Sequence, residues 1–128
     1  MTVRMFTIHQ LLIFAARAGN LDLMRERINA GADVSYYDEL HGSGLFEAIR
    51  GHHLSAVELL LAVGAEVHMA DIYGWGALEY SLRAKDGKVT AALLRAGARL
   101  KQHALPHFRK ALTEHLKRRG LLHEHPTA

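Results

Sequence analysis

The sequence predicts an all-α fold: a solenoid of short helix-turn-helix units stacked side by side. Three observations carry that expectation. First, a 33-residue period runs through the chain: Gly31-Ala32, Gly64-Ala65 and Gly97-Ala98 keep it, as do Leu12, Leu45 and Leu78, and Ala15, Ala48 and Ser81. Second, within one period Leu54, Val57, Leu60 and Leu61 share one helical face, and Gly64 follows where a left-handed residue closes a helix. Third, the two apolar patterns of a period are joined by very short polar corners such as Gly19-Asn20, so the helices must lie antiparallel.

A 33-residue period with two helices per unit resembles the ankyrin repeat family, over roughly residues 7–100. The resemblance implies repeats at about 7–35, 36–68 and 69–101, with short β-hairpin fingers projecting between the helix pairs. The family's turn pattern, D-x-x-G-x-T-P-L-H-x-A, is best kept from Asp71 to Leu78. In the second unit His41 takes the glycine slot and Gly42 follows, which predicts a turn shifted by one residue. The Thr-Pro pair is replaced by Ser43-Gly44 and Gly76-Ala77, and the histidine by Phe46 and Glu79. The hydrogen bonds that threonine and histidine make between repeats in this family are therefore expected to be thinned. Gly87 stands where the earlier units have Leu21 and Leu54, predicting a lost core side chain and modest stability.

Taken in order, Thr7 and Gln10 have capping-box spacing and begin a helix over about 8–18. Asn20 or Asp22 caps the next, at about 21–30, with Leu21, Met24 and Ile28 turned inward. Residues 33–43 form the first finger, in which Tyr36 packs back on its own turn. Further helix pairs follow at about 44–51 and 54–63, where Ser55 and Glu58 have capping-box spacing, and at about 77–84 and 88–96. Pro106 suits the first turn of a last helix, at about 105–119, whose apolar face comprises Leu105, Phe108, Ala111, Leu112 and Leu116. Lys117, Arg118 and Arg119 suit its C-terminal dipole, Gly120 caps it and Leu121 is placed for the accompanying contact. This helix should cover the apolar end of the third unit, formed by Val89, Ala92 and Leu93, as a solenoid requires. The whole, residues 1–128, reads as one domain with a tail at 121–128.

Composition narrows the classes. Cysteine is absent, which excludes disulfides and thiolate metal sites and suits a cytoplasmic location. Arg4, LLIFAA and Ala16-Arg17-Ala18 imitate a signal peptide, but their phase with the repeats marks the first repeat helix. No apolar run is long enough to span a membrane. The net charge of +3 is uneven: from Arg99 onward seven lysines and arginines face two glutamates, so the basic character belongs to the C-terminal end.

The family resemblance implies a working surface formed by fingers and first helices. Arg17, Arg50 and Arg83 occupy one outward position there, 33 residues apart. Three stacked guanidiniums suit carboxylates or phosphates, which they grip in bidentate fashion; pairing to Glu47 on a solvated face is the alternative. The finger tips offer Tyr37 and Leu40, then Ile72, Tyr73 and Trp75, side chains typical of interface hot spots. Ten histidines, including His52, His53, His103, His107, His123 and His125, show no third ligand at metal-binding spacing. Nucleophile motifs and phosphate-binding glycine loops are also absent. The resulting expectation is a monomeric, non-enzymatic protein-binding module without cofactor or metal, taking an acidic protein partner in the groove. Nucleic-acid or other polyanion binding through the basic C-terminal helix is the alternative.

Overall fold

A computed structural model describes residues 5–100 and 104–120. Thr7 accepts from the Gln10 amide while the Gln10 side chain takes the Thr7 amide, and α1 runs over Ile8–Ala18. Gly19 turns the chain and the Asn20 side chain, accepting from the Leu23 amide, caps α2, Leu21–Asn29. The first finger pairs β1, Tyr37–Asp38, antiparallel with β2, Gly42–Ser43, placing Tyr37 opposite Ser43. Ser43 then caps α3, Gly44–Arg50, through the Phe46 amide, and α4 spans Leu54–Ala62. A second finger, closed by a single bridge between Ala70 and Gly76, leads to α5, Ala77–Arg83, and α6, Gly87–Arg95. Pro106 opens α7, Pro106–Arg118.

Helices α1, α3, α5 and α7 pack in one row, and α2, α4 and α6 in a second row behind it. The period is the packing rule. Leu12, Leu45 and Leu78 are all buried in the first row, and Met24, Val57 and Thr90 occupy one buried position in the second. Each such leucine stabilises by about 1.5–3 kcal/mol through area removed from water. Gly31, Gly64 and Gly97 leave the second helices with φ of 99°, 95° and 94°, a conformation costly to any residue with a Cβ.

The two fingers are equally long, Tyr37–Ser43 and Ala70–Gly76, but the glycine that turns them is shifted by one residue. Gly42 and Gly74 both turn at φ 79°, but Gly42 lies four residues after Asp38 and Gly74 three after Asp71. This is the one-residue shift that His41 foretold.

Four local expectations are corrected. Ser55 is not a cap: α4 begins after His53, which makes no side-chain cap bond, and Ser55 lies inside the first turn. The helix starts there because the His53 ring is wedged at the corner. A Cβ on either Gly19 or Gly51 would come within 2.5 Å of that ring, and its Nε2 meets the Arg17 carbonyl at 3.0 Å. The thinned inter-repeat network is replaced by other bonds. The Glu66 amide donates to Ser35 Oγ (2.8 Å), His68 reaches the Gly97 carbonyl (3.1 Å) and His52 meets Asp86 (2.9 Å).

The other two corrections concern α7. Its buried face consists of Phe108 and His115, with Ala111 and Leu112 half-buried beside them; Leu105 is exposed and Leu116 only half-buried. The place of the missing side chain at Gly87 is taken by the His115 ring, 3.8 Å from where a Cβ would stand. Beneath, Thr90 donates to Ser81 and Ser81 to the Leu78 carbonyl, so this end of the core is polar. Leu121 and the tail lie outside the described residues.

Gly87 therefore separates two effects of size. Gly87→Ala makes only ordinary contact with His115 and should raise stability by about 0.4–1 kcal/mol through reduced unfolded-state freedom. Gly87→Leu must displace the ring and should lower stability by about 1–3 kcal/mol. Urea unfolding of the two variants measures both.

Candidate functional site

Two aspartates stiffen the fingers. Asp38 Oδ1 accepts the amides of Leu40 (2.8 Å) and His41 (3.2 Å), while Oδ2 accepts from Gln10 Nε2 (3.0 Å) and meets His41 Nδ1 at 3.2 Å. The Gln10 bond, then those from His41 and Leu40, hold its carboxyl well below the usual range. Asp71 repeats the device, with Oδ1 accepting the amides of Tyr73 (2.9 Å) and Trp75 (3.0 Å). Its second oxygen takes the Tyr80 hydroxyl, tying the second finger to α5. Burial first, and then this carboxylate, push the Tyr80 hydroxyl above the ordinary tyrosine value.

Behind the fingers runs a line of rings. Tyr37 packs edge-on to Phe46 (6.3 Å between centroids), Phe46 against Tyr80 (5.3 Å), Tyr80 against Trp75 (5.3 Å), and Trp75 edge-on to Phe108 of α7 (5.0 Å). Such offset and T-shaped pairs stabilise by about 0.5–1.5 kcal/mol each beyond their burial. The line forms the floor of the concave side from the first finger to the last helix.

The three arginines stand on this side, but unequally. Glu47, buried on α3, lies 3.3 Å from Arg17 Nε and 3.5 Å from Arg50, whose side chains stay 49% and 67% exposed. Arg17 also donates to the His41 carbonyl and lies over the Phe14 ring. Arg83 is exposed, its guanidinium 5.2 Å from the Trp75 ring centroid, and among the described residues no carboxylate pairs with it. Between Arg50 and Arg83 opens a cleft of about 890 Å³, lined also by Tyr73, Trp75, Tyr80 and Ala84.

The finger residues divide as well. Leu40, Ile72 and Tyr73 are exposed, Tyr73 the most at 77%. Trp75 is half-buried between Tyr80 and Phe108. Tyr37 is half-buried too, and its hydroxyl accepts the Ile72 amide (3.3 Å), joining one finger to the next. Tyr36 stacks on His9 and donates to Asp38. Sequence reasoning did not single out Phe46, Tyr80 or Phe108 as parts of this floor. The signal was present in Phe46, which takes the slot where the family has histidine.

Among the described residues no three of His, Asp and Glu converge as metal ligands, and no helix is long and apolar enough to cross a membrane. His103, His123 and His125 lie outside them. The arrangement offers cations and aromatic faces.

Comparison with known proteins agrees with the repeat fold. A family model described as ankyrin repeats, in three copies, matches residues 12–104. The chain is 33% identical over 88 residues to RelA-associated inhibitor of Mus musculus, covering 69% of this chain and 11% of that protein. It is 32% identical over 99 residues to the ankyrin repeat and KH domain-containing protein mask-1 of Caenorhabditis elegans, covering 76% of this chain and 4% of that one. A third relative, L-asparaginase of Dirofilaria immitis, is 31% identical over 91 residues, which is 15% of its length. The chain thus spans a small part of each of these relatives.

The first finger should be sensitive to acid. Asp38 has its carboxyl depressed by folding, so its stabilisation is present above the unfolded value of about 3.9 and fades as pH falls below it. Asp38→Asn should melt lower than the wild type at pH 7, with the gap narrowing below about pH 4. Thermal melts of both proteins across this range check the sign.

Proposed function

The chain belongs to the ankyrin repeat family, and from that premise we propose that it is a non-enzymatic binding module that holds an acidic protein segment in its concave groove. Ankyrin repeats are protein–protein interaction modules, and the observation that carries the finer reading is Arg83. This cation lies over Trp75 at the mouth of the cleft without a carboxylate partner among the described residues. Arg50, across the cleft, shares Glu47 with Arg17 and stays largely exposed, so one buried carboxylate serves two guanidiniums. A partner's carboxylate entering between Arg50 and Arg83 meets two planar donors suited to bidentate bonding. Its neighbouring apolar side chains meet Trp75, Tyr73, Ile72 and Leu40, with Tyr37 fixing the spacing of the fingers. Binding of this kind blocks or tethers the partner stoichiometrically, and a cysteine-free monomer in the cytoplasm fits that role. The name of the mouse relative, an inhibitor, is consistent with a blocking mode in that protein.

Capture of a partner from the native cell, followed by titration with variants, tests the reading. Arg83→Glu should leave unfolding free energy within about 0.5 kcal/mol, since exposed substitutions rarely do more, while Arg50→Glu, which sets a like charge beside buried Glu47, should cost more without unfolding the stack. Either should weaken binding by about 30-fold or more, the loss expected at a hot spot of at least 2 kcal/mol. Trp75→Ala should weaken it with little salt dependence, because its contribution is apolar area. Wild-type affinity in a folded Arg50→Glu or Arg83→Glu variant overturns the groove. Binding that instead falls steeply with salt and on replacing the exposed Arg118 and Arg119 points to the basic last helix and a polyanion.

A further inference from the structure

His115 has no place in the groove and none in an ordinary apolar core. It is 5% exposed, yet its Nε2 has no hydrogen-bond partner. Its ring sits over Gly87, in ordinary contact distance of where a Cβ would stand, so the last helix is keyed to the third unit by a titratable group. The cavity beside it, about 430 Å³, brings the neighbouring charges into view. Lys85 faces it from the α5–α6 corner, Glu114 and Arg118 from α7 and Arg119 from just past its end, while α5 and α6 contribute uncharged Ser81, Leu82, Gly87 and Thr90. Three cations thus line the cavity against a single carboxylate.

Protonation there is doubly unfavourable. The imidazolium has two N–H donors, one of which has no acceptor, and its charge adds to those of Lys85, Arg118 and Arg119. Burial, and then Arg119 and Arg118, accordingly hold the group below the ordinary histidine value. The same helix carries Phe108, two turns earlier and equally buried, whose ring backs Trp75 at 5.0 Å. Trp75 in turn is the surface over which Arg83 lies.

We propose that His115 makes α7 a proton-operated latch on the groove: its protonation undocks the helix, takes Phe108 from behind Trp75 and loosens the Arg83–Trp75 shelf. The effect on binding rests on the groove reading; the latch itself does not. The sign follows from linkage. An imidazole kept neutral by folding binds its proton more readily once released, so the docked state loses stability as pH falls below about 6.5. Acid therefore opens the latch and neutral pH closes it.

Trp75 is the only tryptophan in the chain and reports the contact directly. Its emission should shift to the red between pH 7.5 and pH 5, with far-ultraviolet dichroism showing that the repeat helices persist. Amide exchange in residues 106–118, corrected for intrinsic rates, should speed up at least tenfold over the same interval. His115→Gln, which carries no titrating charge, should abolish both changes. His107→Gln should retain them, although His107 also touches Phe108. Phe108→Ala should show the acid emission already at pH 7.5. An unchanged wild-type spectrum and exchange rate, or the same transition in His115→Gln, overturns the proposal. Neither readout uses a partner, so the two ideas fail separately. A fluorescence transition with partner affinity independent of pH supports the latch and counts against the groove.

Discussion

No unit of this chain can bury its own apolar face, and the rest of the structure follows from that constraint. A pair of short helices exposes on both sides the leucines that would form its core, so stability comes from the neighbour. Leu12, Leu45 and Leu78 are buried because one helix pair leans on the next, with Met24, Val57 and Thr90 doing the same in the second row. A stack of this kind has ends. The final end is closed by α7, which continues the row of first helices without repeating their sequence.

The closing helix does more than cover apolar surface. Phe108 completes a line of rings that starts at Tyr37 in the first finger, so the groove floor is continuous with the cap. Fingers closed by two-residue strands or by a single bridge have little stability of their own. Here they are held by Asp38 and Asp71, which collect the turn amides, and by the Tyr37 hydroxyl bridging one finger to the next. The rigidity of the finger face is thus assembled from local carboxylate turns and one long-range aromatic run.

Charge is distributed with similar economy. Glu47 sits buried between Arg17 and Arg50, while Arg83 meets only an aromatic face among the described residues. The column looks uniform in the sequence and is graded in space, most open toward the last helix. Polar groups likewise increase toward that end of the core, where Ser81 and Thr90 replace Ala48 and Val57 of the preceding unit and His115 fills the place over Gly87. The first two satisfy each other by hydrogen bonding; His115 does not.

How much was legible in the chain depended on the range of the interaction. Helix positions, the glycines at 31, 64 and 97, the Thr7–Gln10 box, Pro106 and the shifted first finger were all readable, because each follows from backbone preference or from a period shared by stacked units. The arginine column was readable for the same reason. What each arginine faces was not, since Glu47 serves two of them across 30 and 3 residues of chain and Trp75 reaches Arg83 only through the fold. Likewise Ser55 matched a capping box, but the wedge of His53 between Gly19 and Gly51 set where α4 begins. Gly87 read as a missing core side chain, and α7 was assigned a face ending in Leu116. Only docking showed that the empty place and the histidine belong together, because periodicity specifies how units repeat and is silent on how an unrepeated helix meets the last of them.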